Sequence, residues 1–276
     1  MDLSGFGGGW EHLRLLSDPE RNRVLVAMLQ ARAPGATVLE VGCGTGVLSC
    51  LAARLGARRV YAVEPTALAS VARDLARANG VADRVVVLEG RVEDLDPRPV
   101  DFGFSELLNA FPFQEGVLPA MEAAAAWGPV EPRRLRVYAA AVRDPSSADE
   151  KRDALRELKG LGLDLSPLAP VLDVGAYRSV GRGIPCGPPT LLYDLPVGRS
   201  ERPTPRRATL AVDDPGPVGG AMVWFEADYG NDRMTNAPGQ GGHWGQLVCG
   251  WPELVGVKDR VDVTVTLDNG VSIRPA

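Results

Sequence analysis

The chain has 276 residues, 45% of them hydrophobic and 24% charged, with a net charge of −5. That is an ordinary globular composition, enough for one large domain or two modest ones. No apolar run approaches a membrane span, and "MDLSGFGGGW" lacks the basic start and apolar core of a signal peptide, so the expectation is a soluble cytoplasmic protein. Four cysteines (Cys43, Cys50, Cys186, Cys249) show no CxxC pairing, and His12 and His243 are the only histidines. A disulfide framework, a zinc site and any histidine-based metal cluster are therefore not expected. Lysine occurs only at Lys151, Lys159 and Lys258, and no basic tract would track phosphates, so neither nucleic acid nor membrane is an expected partner. The alanine-, glycine-, proline- and arginine-rich usage points to a GC-rich bacterial genome.

In chain order, "DPERNRVLVAMLQARA" (18–33) predicts a helix with Asp18 as N-cap and Pro19 at the first helical position. "ATVLEVGCGTGVLSCLAARLG" (36–56) runs from an apolar strand through a glycine turn into a helix. A strand at 58–65 ("RRVYAVEP"), a helix at 66–80 and a strand with a loop at 83–95 follow, and "VDFGF" (100–104) reads as a fourth, buried strand. This alternation implies right-handed βαβ units, a parallel sheet, and ligands at the carboxyl ends of its strands. After about residue 131 the pattern changes to strand-like pieces at 134–142, 208–212, 220–229, 246–251 and 260–267, interrupted by a helical stretch at 147–162. The reading is α/β followed by a second, β domain.

Two stretches carry chemistry. "VLEVGCGTG" (38–46) places Gly42, Gly44 and Gly46 at a strand-to-helix turn, and Glu64 ends the next strand, where it could accept both ribose hydroxyls. The spacing favours a nucleoside cofactor without settling which. "SELLNAFPFQE" (105–115) holds Glu106 and Glu115 at the ends of an otherwise uncharged span, just after the fourth strand. Carboxylates brought together in an apolar place repel each other and lose hydration, so they call for a cation.

The stretch from Val38 to Val63 resembles motif I and its continuation in class I S-adenosylmethionine (SAM) methyltransferases, and "EGRVEDL" (89–95) resembles the later adenine-binding loop. Carried over by position, Glu40, Gly42, Gly44 and Gly46 would border the methionine end of SAM, Glu64 would bind the ribose, and Val92 and Glu93 would contact the adenine. Read alone, Glu93 is equally a solvated loop acid. Glu106 and Glu115 resemble the double-E loop of protein arginine methyltransferases, which implies that the missing cation is a guanidinium. "GGHWGQ" (241–246) is similar to that family's Thr-His-Trp loop, with Gly242 in place of the threonine. There His243 would orient the loop or shuttle the product proton, and Trp244 would form a pocket wall. "LSDPERN" (16–22) resembles the helix whose arginine, here Arg21, binds the SAM carboxylate.

The resemblance runs from about residue 12 to 270 and is nearest to the monomethylating type III subgroup. It implies a Rossmann-like methyltransferase domain over 1–131, then a β-barrel substrate domain over 132–276 with a helical dimerisation arm at about 145–185 and a homodimer. The implied reaction places one methyl on a terminal guanidino nitrogen of arginine, with free L-arginine or a small arginine-derived metabolite of a biosynthetic pathway as acceptor, or else protein or peptide arginine. A natural-product O- or C-methyltransferase and a non-catalytic SAM-binding scaffold are the rivals. The chain departs from the family in having Leu107-Leu108-Asn109-Ala110 in place of Trp-Met-Gly-Tyr between the glutamates. Its N-terminus is also reduced to "MDLSGFGGGW", so that either Phe6 or Trp10 does part of the work of the family's covering helix or the site is more open.

Overall fold

The computed structural model describes residues 9–143, 157, 160–162, 177–181, 183–200, 204–213, 218–240, 242–255, 260–266 and 270–275. Five parallel strands form the first sheet: β1 (Thr37–Val41), β2 (Arg59–Glu64), β3 (Val85–Glu89), β4 (Phe102–Ser105) and β5 (Val130–Glu131), in the order β3-β2-β1-β4-β5. Strands β1 and β4 read as nearly unbroken apolar runs and are buried, β1 from Val38 on and β4 throughout, as a sheet covered on both faces requires. The reversal of strand order between β1 and β4 opens a crevice beyond their carboxyl ends.

Helices α1 (Gly9–Leu16), α2 (Pro19–Arg32), α3 (Val47–Arg54), α4 (Leu68–Ala78) and α5 (Val117–Ala124) accompany this sheet. The Asp18 Oδ1 atom accepts from the backbone N–H groups of Glu20 (2.9 Å) and Arg21 (3.1 Å), which caps α2 where the helix dipole favours an anion. The predicted helix at 66–80 begins later, at Leu68. Thr66 is instead spent on the end of β2, with its N–H and hydroxyl donating to Glu64 Oε1 while its Oγ1 accepts from Leu68 N. Gly46 has φ +78°, and a Cβ there would lie 2.8 Å from Ala72 Cβ, so only glycine lets α3 start this close to α4.

The remaining strands are antiparallel. One sheet has the order β7 (Tyr177–Gly181), β12 (Gln246–Val255), β10 (Val218–Tyr229), β6 (Arg134–Val142), β8 (Thr190–Pro196), with β11 (Asp232–Thr235) paired to β10. A smaller sheet has the order β14 (Gly270–Pro275), β13 (Arg260–Thr266), β9 (Arg206–Ala211). The fold is therefore a Rossmann-like parallel sheet followed by a barrel-like β portion. Most of the predicted helix at 147–162 and most of the arm at about 145–185 lie outside the described residues. Strands β7, β8, β11 and β14 escape a sequence reading because they are short or sit among prolines and glycines, where alternation has no room to show. No helix among the described residues is long and apolar enough to cross a membrane.

Candidate active site

A cavity of about 290 Å³ lies beyond the carboxyl ends of β1, β2 and β4. The glycine turn supplies its floor: Gly42 and Gly44 adopt φ +71° and +54°, and a Cβ at Gly44 would meet nothing within 4 Å, so this backbone faces open space. Arg21, Glu40, Glu64, Val92 and Glu93 line the same cavity. Glu64 braces the turn, with Oε2 accepting from Gly44 N at 2.8 Å. Val92 is buried, whereas Glu93 reaches outward to an ion pair with Arg91 at 3.1 Å.

Glu40, at the end of β1, is buried and accepts a hydrogen bond from the Ser49 hydroxyl. Burial pushes its carboxyl up to about 8, against the Ser49 bond and the nearby Arg21, which favour ionisation. Between the ordinary carboxylate range and about pH 8 the unfolded chain is ionised at this position and the folded chain is not, so its contribution to stability is lost as pH rises across that interval. Glu40→Gln is therefore expected to reduce the alkaline fall in melting temperature of the cofactor-free protein, measured by thermal unfolding from about pH 5 to about pH 9.

On the loop after β4, the Glu106 side chain is 5% exposed and its Oε2 accepts from Arg21 Nε at 2.6 Å. Its other oxygen, Oε1, is buried without a hydrogen-bond partner. Burial raises the Glu106 carboxyl to about 7 despite the Arg21 guanidinium. Glu115 lines the same cavity, is also pushed up by burial, and accepts from Asn109 Nδ2 at 3.1 Å. Only Glu106 is paired with a protein cation, Arg21, while Glu115 has a neutral partner, and a buried lone pair is left over. Such a site is short of positive charge and of N–H donors.

The β portion fixes this loop. The Tyr229 hydroxyl donates to Ser105 O (2.7 Å), Trp244 Nε1 to Leu108 O (3.1 Å), and Asn236 Nδ2 to Ala110 O (3.3 Å). Asn236 is itself held by Phe225 N on its Oδ1, and its carbonyl accepts from Gln246 Nε2. Phe111 and Phe113 are buried behind the loop in edge contact, and Phe113 meets Tyr193 of β8. Trp244 therefore reaches the loop by its indole N–H and packs on Phe225, but neither it nor His243 lines the cavity.

His243 is tied to the start of α2. Its backbone N–H donates to Asp18 Oδ2 at 2.6 Å, and its ring Nδ1 lies 2.7 Å from the same oxygen. Burial lowers the His243 pKa, against the pull of Asp18. Burial also opposes ionisation of Asp18, but the hydrogen bonds from His243 and from Arg21 N outweigh it and lower its pKa. The consistent state is an ionised Asp18 facing a neutral imidazole protonated on Nδ1, which leaves Nε2 as an acceptor. Gly242 has φ +119°, and a Cβ there would stand 3.1 Å from Asp18 Oδ2, which accounts for glycine at this place. Sequence reasoning identified Asp18 only as a helix cap, and nothing local signals its second partner 225 positions away. Phe6 and the side chain of Trp10 lie outside the described residues.

A doubly wound sheet, a glycine turn open to a cavity and an acid ending the second strand define a nucleoside-cofactor site. The family model described as ribosomal protein L11 methyltransferase (PrmA) matches residues 22–104. The chain is 32% identical over 267 residues to an arginine N(omega)-methyltransferase of Streptomyces achromogenes subsp. streptozoticus, covering 88% of this chain and 70% of that one. It is 33% identical over 161 residues to the probable protein arginine N-methyltransferase 6 of Arabidopsis thaliana, covering 55% of this chain but only 37% of the relative. The crystal structure of Arabidopsis thaliana protein arginine methyltransferase 10, in an open conformation, superimposes with a TM-score of 0.77 at 25% identity, covering 95% and 88% of the two chains. A Trypanosoma brucei PRMT1 enzyme–prozyme complex with AdoHcy shares the fold, with a TM-score of 0.77 at 21% identity over 95% of this chain and 90% of that one. The chain belongs to the SAM-dependent arginine N-methyltransferase family.

Proposed function

We propose that this protein transfers one methyl group from SAM to a terminal guanidino nitrogen of arginine, and that the acceptor is free L-arginine or a small arginine-derived metabolite. The observation that carries the reading is the buried, partnerless Glu106 Oε1 beside Glu115 in the cofactor cavity. A guanidinium brings five N–H donors and a permanent charge, which is what the pair lacks.

The cavity residues fit the cofactor. The open backbone at Gly44, between Gly42 and Gly46, leaves room for its methionine end. In this reading Arg21 takes its carboxylate, Glu64 its ribose, Val92 and Glu93 its adenine, and Glu40 holds the turn from below. When bound, SAM supplies an electrophilic methyl on a cationic sulfur. Glu106 and Glu115 accept the guanidinium N–H groups, draw positive charge toward the nitrogens they hold, and aim the remaining nitrogen. They also offset repulsion between two cations in one cavity. The neutral His243, oriented by Asp18, is the group we assign to carrying the product proton outward, and Trp244 the group that walls the acceptor side.

The arginine N(omega)-methyltransferase name of the Streptomyces relative supports the small acceptor, while the names of the plant relatives support protein or peptide arginine as a second reading. We further propose that residues 1–131 and 132–276 act as cofactor and substrate domains, and that the protein works as a homodimer in the cytoplasm. The test is mass spectrometry after incubation with SAM and, in parallel, free L-arginine and a glycine–arginine-rich peptide. Singly methylated free arginine is expected. Methylation of the peptide alone would replace the acceptor by the second reading. No product on either, with SAM bound, would hand the site to an O- or C-methyltransferase or a scaffold.

A further inference from the structure

We propose that Asn109 is the positioning residue of Glu115: it orients this carboxylate toward the acceptor with a neutral amide, so that Glu115 keeps the negative charge that recruits a cation. The inference rests on the proposed role of Glu115 in holding the acceptor. The two glutamates are supported differently. Glu106 is matched by the Arg21 guanidinium at 2.6 Å, whereas among the described residues Glu115 has one hydrogen bond, from Asn109, and no ion pair.

The orientation of the Asn109 amide is dictated locally. Its Oδ1 accepts from Ala110 N at 2.7 Å, which turns Nδ2 toward Glu115 Oε1 across six positions of the loop. Asn109 does not line the cavity although Glu115 does, so it acts on the acceptor only through Glu115. Ala110 is in turn fixed by Asn236 of the β portion, so the amide is set on a rigid backbone.

A neutral donor suits this place. An arginine partner like that of Glu106 would cancel the charge the acceptor must find, and an apolar partner would leave a half-buried carboxylate raised further by desolvation. The charged groups that face the same cavity from other elements are Arg21 on α2, Glu40 at the end of β1, Glu64 at the end of β2, and Arg91 and Glu93 after β3. Glu106 is the neighbour on its own loop, and its carboxyl is pushed up in part by Glu115.

The test is the pH dependence of kcat/KM for arginine methylation in the wild type, Asn109→Ala, Asn109→Asp and Glu115→Gln. Losing the amide donor is expected to move the acidic limb of Asn109→Ala up by about one pH unit, the worth of one hydrogen bond to a carboxylate. KM for the acceptor rises while kcat on the alkaline plateau stays within about threefold of wild type, since uniform binding is what is lost. Asn109→Asp keeps the Oδ1 bond to Ala110 and hence the loop, but replaces the donor by an acid, so its limb moves further up; it serves if Asn109→Ala does not fold. Limbs that coincide with wild type, or rates reduced equally at every pH, would overturn the proposal. If Glu115→Gln itself keeps full arginine methylation, the proposed function fails; if it is inactive while both Asn109 limbs stay put, only the present inference fails.

Discussion

Glu115→Gln is expected to lower kcat/KM for arginine by about 10²–10³-fold, the usual cost of removing one preorganised electrostatic partner from a water-poor site. SAM binding should persist, because the glycine turn, Arg21 and Glu64, which line the cavity and are the residues proposed to hold SAM, are unchanged. The cofactor-free variant should be no less stable than wild type: Glu115 is a carboxylate raised by burial, with a neutral partner, and an amide at that place carries no charge to desolvate. Glu106→Gln should differ in kind. It also lowers turnover, but it strands the Arg21 guanidinium, whose side chain is 5% exposed, without its carboxylate. Breaking a buried pair from one side costs about 3–5 kcal/mol, so Glu106→Gln should melt well below Glu115→Gln. Thermal unfolding of both variants, with steady-state kinetics, separates these outcomes. Equal stability of the two would mean that Arg21 and Glu106 are not a buried pair in solution.

Asp18→Ala is the second large effect. One carboxylate caps α2 through Oδ1 and holds both the backbone and the ring of His243 through Oδ2. Losing the cap costs about 1 kcal/mol and unpairing the half-buried His243 N–H groups about 1–3 more, so a loss of about 2–4 kcal/mol in unfolding free energy is expected. Activity should fall as well, because the loop carrying His243 and Trp244 loses its anchor. Asp18→Asn tells the two parts apart. Its Oδ1 can still cap the helix, but its NH₂ would meet the His243 N–H donors face to face, so it should recover the cap's share of stability and not the loop. Recovery of both by Asn would mean that the His243 contacts add nothing.

The α/β half was legible because each of its elements carries a local signal. The cap at Asp18-Pro19, the apolar run before Gly42 and the acid ending β2 are all set by neighbours a few positions away. The glutamate pair was legible as an anomaly, two charges bracketing an apolar span, and burial of Glu106 with a lone pair unmet gives that anomaly its physical form. What sequence reading could not reach depends on distant pairing. Asp18 meets His243 across 225 positions, Tyr229 meets Ser105 across 124, and the Arg21–Glu106 pair joins residues 85 apart. Arg21 carries no local mark that it would face Glu106 as well as the cofactor cavity. The Asn109 amide is a local contact, yet asparagine between two glutamates reads first as a turn residue, and only the geometry turns its NH₂ toward one of them.

In the proposed reaction a guanidinium nitrogen meets the transferred methyl between Glu106 and Glu115. Tandem mass spectrometry that locates the methyl on the arginine product tests it most directly. A single methyl on a terminal guanidino nitrogen is expected in the wild type, formed about 10²–10³-fold more slowly in Glu115→Gln. A methyl found on an oxygen or carbon of another acceptor, or arginine methylation that survives Glu115→Gln unchanged, would contradict it.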